Sequence, residues 1–207
     1  LISADKENFK SKVVELRNDP ERMNKMLSGQ KNLIDGESPR RLLNVFRKLT
    51  GREISFRFAN ETDVDTYFNW ANDPLVRKNS FNQDKVEYEN HVKWFHSKLN
   101  SPNCFLYFFQ VKDEKVGQVR IDRSGDEIVI GISIDEAFRG RSAGVEMLKL
   151  SSNDYLARNP AAEIIAYIKR ENISSYSIFK KAGFGNEKNI IYDGLECFRL
   201  SLKLNQS

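Results

Sequence analysis

Glu127-Ile-Val-Ile-Gly-Ile-Ser-Ile-Asp-Glu-Ala-Phe-Arg-Gly-Arg-Ser-Ala-Gly144 runs an apolar strand straight into a basic turn of small residues, with an amphipathic stretch behind it. The alternation over 127–134 predicts a strand, and the spacing over 142–157 predicts a helix. The first turn of a helix leaves backbone N–H groups without intrahelical partners, and the macrodipole adds positive potential there. Gly140, Ser142, Ala143 and Gly144 are small enough for an anion to approach those amides, and Arg139 and Arg141 add fixed charge beside them. The junction therefore predicts a phosphate site.

Spacing narrows the kind of phosphate site. Neither G-x-G-x-x-G nor G-x-x-x-x-G-K-[ST] is present. Arg139-Gly-Arg-Ser-Ala-Gly144 instead resembles the [QR]-x-x-G-x-[GA] pyrophosphate loop of the GNAT family of N-acetyltransferases. Ser142 stands where that pattern usually carries glycine, and a serine there would resist a positive φ. About 30 residues on, Asn172-Ile-Ser-Ser-Tyr-Ser-Ile-Phe-Lys-Lys-Ala-Gly-Phe184 is similar to the family's N-x-x-[SA]-x-x-x-[YF]-x-K-x-G-F segment. Taken alone, the first is an ordinary strand-to-helix turn and the second an ordinary helix closed by glycine. Together, in this order, they identify the chain as similar to the family.

The resemblance implies an α/β (α+β) fold: a mixed, mostly antiparallel sheet flanked by helices, with two parallel strands, the fourth and fifth, splayed apart. Those strands are 127–134 and 163–168. It also implies acetyl-CoA as co-substrate and no metal. Ile132, Ser133 and Ile134 would lie along the pantetheine, with the backbone of Ile132 and Ile134 pairing to it. Arg139, Gly140, Arg141, Ser142, Ala143 and Gly144 would hold the pyrophosphate, and Asn172 would anchor the arm from the other side, a role compatible with capping the next helix. Phe179 occupies the position where many members carry a tyrosine that protonates the departing thiolate. Phenylalanine has no proton to give, so Tyr176, one turn earlier, or water takes that role, or CoA leaves as a thiolate without a dedicated acid. Glu127 matches the segment that carries the general base in the histone-acetylating branch, and its other reading is a solvated strand-edge charge.

Around this centre the remaining sequence falls into order. Glu53-Ile-Ser-Phe-Arg-Phe-Ala59 alternates as a strand; helices are expected near 62–71, 84–99 and 173–182, and strands near 104–111, 116–122, 188–192 and 196–204. Ser124-Gly125-Asp126 makes a tight connection. Trp70-Ala-Asn-Asp-Pro-Leu-Val-Arg77, Asn79-Ser-Phe-Asn82 and His91-Val-Lys-Trp-Phe95 resemble the acceptor-side helices of the branch that acetylates a nucleotide-linked 4-amino sugar on the route to pseudaminic acid. That resemblance makes Arg77 and Lys78 candidate diphosphate ligands and Trp70 or Trp94 a stacking surface for uracil or sugar. In an ordinary domain, both tryptophans pack in the core and the arginine is solvated.

Residues 1–50 read as three short helices, which make a poor independent core. The stretch from Arg17 to Leu43 resembles the closing helices of the nucleotide-sugar hydrolase of the same pathway, a glycosyltransferase-B-like protein. Because the chain opens on Leu1, these helices are expected to be the tail of an upstream domain, with the acetyltransferase domain over 51–207.

Composition bounds the reading. Of 207 residues, 40% are apolar and 30% charged, which suits a folded domain. The net charge of +4 arises in residues 1–50, with 11 Lys/Arg against 7 Asp/Glu, while residues 51–207 carry 22 of each. A neutral catalytic half argues against nucleic acid as the main partner. Cys104 and Cys197 are too few for a disulfide scaffold and read as core thiols, and His91 and His96 lack companions for a metal site. With no signal peptide or membrane span in the sequence, the expected location is the cytoplasm. The reading is acetyl-CoA-dependent N-acetylation of a nucleotide-linked amino sugar. Its rivals are acetylation of a protein N-terminus or lysine, and a non-catalytic acyl-CoA-binding module.

Overall fold

The computed structural model of the chain describes residues 53–204. The helices expected over residues 1–50 lie outside the described residues. The elements are β1 (Ser55–Phe58), α1 (Val64–Ala71), α2 (Pro74–Asn79), α3 (Tyr88–Leu99), β2 (Cys104–Val111), β3 (Glu114–Ser124), β4 (Glu127–Ile134), α4 (Ala143–Arg158), β5 (Glu163–Lys169), α5 (Ile173–Ala182), β6 (Gly185–Tyr192) and β7 (Leu195–Lys203). Short 3₁₀ turns, Glu61–Asp63 and Glu136–Phe138, precede α1 and follow β4.

The seven strands form one sheet in the order β1-β2-β3-β4-β5-β7-β6. Every neighbouring pair is antiparallel except β4 and β5, so the expected mixed sheet is present. Gly125 and Asp126 alone connect β3 to β4, with Ser124 and Glu127 paired across the turn.

Two apolar clusters cover the two faces. On one, Met147 and Leu148 of α4 and Phe179 of α5 pack against Ile128, Ile130, Ile164 and Ile168. On the other, Tyr67 and Trp70 of α1 and Phe95 of α3 pack against Leu106 and Phe108. Alternate residues of β2 serve opposite clusters, because successive side chains of a strand point to opposite faces. That double burial explains the unbroken apolar run Cys104-Phe-Leu-Tyr-Phe-Phe109.

Two elements differ from expectation. The helix expected near 84–99 begins only at Tyr88, because the Asn72 amide bonds the backbone N–H and C=O of Val86 at 2.9 and 3.0 Å and holds that approach as a loop. The second is α2, a helix where none was expected. Asp73 caps it, accepting from the N–H groups of Leu75 and Val76, and Pro74 sits in its first turn. Both cysteines are buried thiols, and burial pushes Cys104 up to about 11, so it is unreactive. Among the described residues no helix is long and apolar enough to cross a membrane.

Candidate active site

β4 and β5 pair only through Ile128–Ile164 and Val129–Ile165. Beyond those rungs the strands separate, and the edge of β4 facing β5 has no strand partner. Its backbone orientation follows from the opposite edge. The Asp135 N–H donates to Val116 of β3 at 2.8 Å, so by alternation Ile130, Ile132 and Ile134 turn their backbone groups to the gap. This is the edge expected to pair with pantetheine. Ser133 points its hydroxyl to the other face, where Gln118 donates to it at 3.2 Å.

A cleft of about 1050 Å³ opens from this fork. One half is walled by β4 from Ile130 to Ile134, the turn Arg139–Gly140 and the start of α4, with Asn172, Ile178 and Phe179 of α5 opposite. Asn172 caps α5 by accepting from the Ser175 N–H at 3.0 Å while lining the cleft. Gly144 lies against two side-chain ends: a Cβ there would meet Ile134 Cδ1 at 2.7 Å and Ile178 Cδ1 at 2.9 Å, so both would have to shift. Gly140 has φ +72°, as its turn demands. Ser142 does not exclude the positive φ: it adopts φ 63° and ψ 5° at the N-cap of α4, at the cost a Cβ carries there and with no capping bond from its own hydroxyl.

Arg139 is placed in the cleft but is not a bare cation. Its guanidinium pairs with Asp73 at 2.7 Å, and its Nε–H donates to the Ile134 carbonyl at 3.1 Å. It thus covers one of the backbone groups expected to receive pantetheine. Burial alone would raise the Asp73 carboxyl, but the N–H of Val76 and the Arg139 guanidinium outweigh it and hold it below the usual carboxylate range. Arg141 is exposed and does not line the cleft. Phe179 is a buried wall residue, its ring edge-on to Phe184 at 5.0 Å.

The catalytic candidates are placed differently from expectation. Tyr176 is turned away from the cleft: its hydroxyl donates to Glu187 at 2.8 Å and its ring packs on Phe198 at 4.4 Å. One helical turn from Phe179 therefore brings it to the β6–β7 side, not to the fork. Glu127 is half-buried and has no surface on the cleft. Its carboxylate accepts from the hydroxyl of Tyr167, which does line the cleft, at 2.8 Å to each oxygen. Asp126 lies exposed in the turn.

The other half of the cleft lies between α1–α3 and the sheet face bearing Gln118, Arg120, Gly131, Tyr167 and Lys169. Trp94 lines it, with the Arg120 guanidinium 5.5 Å from its ring centre. Trp70 does not: it is buried, and its indole N–H donates to Asp135 at 3.0 Å, so the stacking expectation is withdrawn for it. Arg77 lines the cleft, but its guanidinium already bonds the carbonyls of Asn82 and Asp84 and the hydroxyl of Ser80, so it shapes the 80–84 loop. Burial lowers its pKa from the usual value. The sequence reading missed Tyr167, Gln118, Arg120 and Lys169. Each sits at an alternating position on a strand next to the fork, and only the strand register marks them.

The acetyltransferase (GNAT) domain family matches residues 53–185. No curated protein matches the chain. Among solved structures, the spermidine N-acetyltransferase from Vibrio cholerae in complex with CoA and spermine superposes with a TM-score of 0.65 at 11% identity, over 72% of this chain and 94% of that one. The ribosomal L7/L12 alpha-N-protein acetyltransferase in complex with coenzyme A gives 0.64 at 15% identity, over 74% and 96%. The aminoglycoside acetyltransferase AAC(6')-Ib in complex with coenzyme A gives 0.62 at 15%, over 73% and 95%. These likenesses show the fold. Since the family match spans the β4–β5 fork, the Arg139–Gly144 turn and the whole Asn172–Phe184 segment, the chain belongs to the GNAT family of acetyltransferases.

Proposed function

We propose that this domain transfers an acetyl group from acetyl-CoA to the amine of an anionic small molecule, a nucleotide-linked amino sugar. The fork fits the co-substrate: the gap-facing backbone of Ile132 and the N–H of Ile134 supply strand-like hydrogen bonds, and the Gly140–Gly144 turn offers the amides of a helix start. When bound, acetyl-CoA supplies the acetyl group as an activated thioester. The chain's own residues then hold the amine at the fork, exclude water and take up its proton.

One observation carries the choice of acceptor. Among the described residues the cleft is lined by five basic side chains, Arg77, Arg120, Arg139, Lys169 and Lys181, and by no aspartate or glutamate. A polycation would meet like charge with no carboxylate on the cleft wall, the Asp73 partner of Arg139 and Glu127 lying behind it. An amine that carries phosphate meets Arg120 and Lys169 near the sheet, while Trp94, Phe81 and Tyr192 offer aromatic faces for a base or sugar ring. The resemblance of residues 70–95 to the amino-sugar branch of pseudaminic acid biosynthesis supports the same class. In this reading Trp94 keeps its substrate role, and Arg77 acts by fixing the loop.

The test is to remove the charges. Arg120→Gln and Lys169→Gln should each raise KM for a UDP-linked 4-amino sugar by about 10-fold or more, the scale of a lost hydrogen bond to a charged group. The thermal shift given by acetyl-CoA should not change. An unaltered KM in both variants would reject the anionic acceptor.

A further inference from the structure

Glu127 is separated from the cleft by one group, the Tyr167 hydroxyl. Ile165 is in the last paired rung of β5, and Tyr167, two residues on, is the first side chain of that face beyond the point where β4 and β5 part. It therefore stands at the crotch of the fork, opposite Gly131, which adds no side chain there. The ring is held in place by Tyr192, stacked at 4.0 Å with an interplanar angle of 12°, which Phe81 in turn meets edge-on at 5.0 Å. The charged and titratable groups facing it are Glu127 from β4, Arg199 opposite it on β7, Tyr192 from β6 and Lys169 on its own strand.

A phenol has one proton to donate and two lone pairs. Here the proton is committed to Glu127 and the Arg199 guanidinium engages the same oxygen, which leaves one lone pair to accept from an N–H in the cleft. We infer that Tyr167 is a catalytic residue that relays the proton of the acceptor ammonium to Glu127. One N–H bond breaks as an O–H bond forms on Tyr167, and the phenol's original proton passes to a Glu127 oxygen. The ammonium and carboxylate become a neutral amine and a carboxylic acid, and Tyr167 ends as it began. Burial, and then the bond to Glu127, raise the Tyr167 phenol above its usual value against the opposing pull of Arg199, so a lasting phenolate is disfavoured and the two transfers are coupled. Glu127 acts through Tyr167 and is a positioning residue and proton sink.

This inference rests on the acetyltransferase reading, and the experiment separates the two. Tyr167→Phe, Glu127→Gln and the double variant are compared with wild type, using acetyl-CoA with a UDP-linked 4-amino sugar, spermidine and a glycyl peptide. The acceptor turned over fastest is followed from pH 6.5 to 9.5. Each single variant should lose about 100-fold in kcat at pH 6.5, typical of removing general-base catalysis. The loss should shrink to a few-fold at the alkaline end, where the amine is already neutral, and the double variant should be no slower than either single one, as for groups that act as a unit. Independently of turnover, the ¹³Cζ resonance of Tyr167 should titrate at lower pH in Glu127→Gln, and the acetyl-CoA thermal shift should persist in all variants. A pH-independent loss, or losses that multiply, overturns the relay alone. A wild-type protein that neither shifts with acetyl-CoA nor turns over any of the three amines overturns the acetyltransferase reading with it.

Discussion

Replacing Ser142 by glycine should stabilise the protein. Ser142 sits at φ 63° and ψ 5°, the left-handed region, where a Cβ costs an L-residue about 1–2 kcal/mol. Glycine removes that cost but gives the unfolded chain more freedom, worth about 0.4–1 kcal/mol in the other direction. The hydroxyl makes no capping bond, so nothing is lost with it. The balance is a gain of roughly 0.5–1 kcal/mol, or about 1–4 °C in the thermal midpoint of a domain this size. Ser142→Ala keeps the Cβ and should stay near wild type, whereas Ser142→Val, β-branched at a positive φ, should fall. Thermal unfolding of the three variants without ligand checks this ordering. A glycine variant no more stable than the alanine variant would refute the account of strain at this turn.

Five other outcomes are expected. Gly144→Ala should destabilise by about 1–3 kcal/mol in urea unfolding, because its Cβ would press on Ile134 and Ile178 at 2.7 and 2.9 Å. Asp73→Asn keeps an α2 cap but releases Arg139, so acetyl-CoA should bind about 5- to 10-fold more tightly by calorimetry, less so in high salt. Trp70→Phe should lower stability by about 1–2 kcal/mol through the bond to Asp135 with acceptor KM unchanged. Trp94→Ala should instead raise that KM by about 10-fold, the scale of one lost base–aromatic stack. Burial lowers the pKa of His91, whose ring bonds the Val64 carbonyl. Its stability contribution is therefore present above its unfolded value near 6.5 and lost as pH falls below it, whereas those of Asp63 and Asp73, both held low, persist down to about pH 4. Urea unfolding at pH 7.5, 5.5 and 3.5 should show both steps, and His91→Gln should remove the first.

The fork was legible because a strand period runs into a small-residue helix start, a combination of local signals. Strands β2, β4 and helix α5 stand where periodicity and capping place them. α2 was not read from the sequence: Asp73-Pro74 is a cap-and-proline device, but six residues give too little periodicity to show a helix. The other failures are tertiary. Whether Trp70 or Trp94 faces the cleft depends on which side of its helix meets β2, and Trp70 is claimed by Asp135, 65 residues away. Tyr176 lies one turn from Phe179 in sequence, yet Glu187 and Phe198 draw it to the far side. Tyr167 has no local motif at all. Its position follows from where the β4–β5 pairing ends, and that is set by packing of the whole sheet.

The central claim is that an acetyl group passes from acetyl-CoA to an amine that also bears negative charge. Radiolabelled acetyl-CoA offered with equal concentrations of a UDP-linked 4-amino sugar, spermidine and a glycyl peptide tests it in one reaction. The label should accumulate in the nucleotide sugar by at least about 10-fold over either competitor, the scale of one lost hydrogen bond to a charged group. Label found chiefly in spermidine or the peptide would contradict the account, because a cleft lined by Arg120 and Lys169 without a carboxylate would then have failed to select for charge.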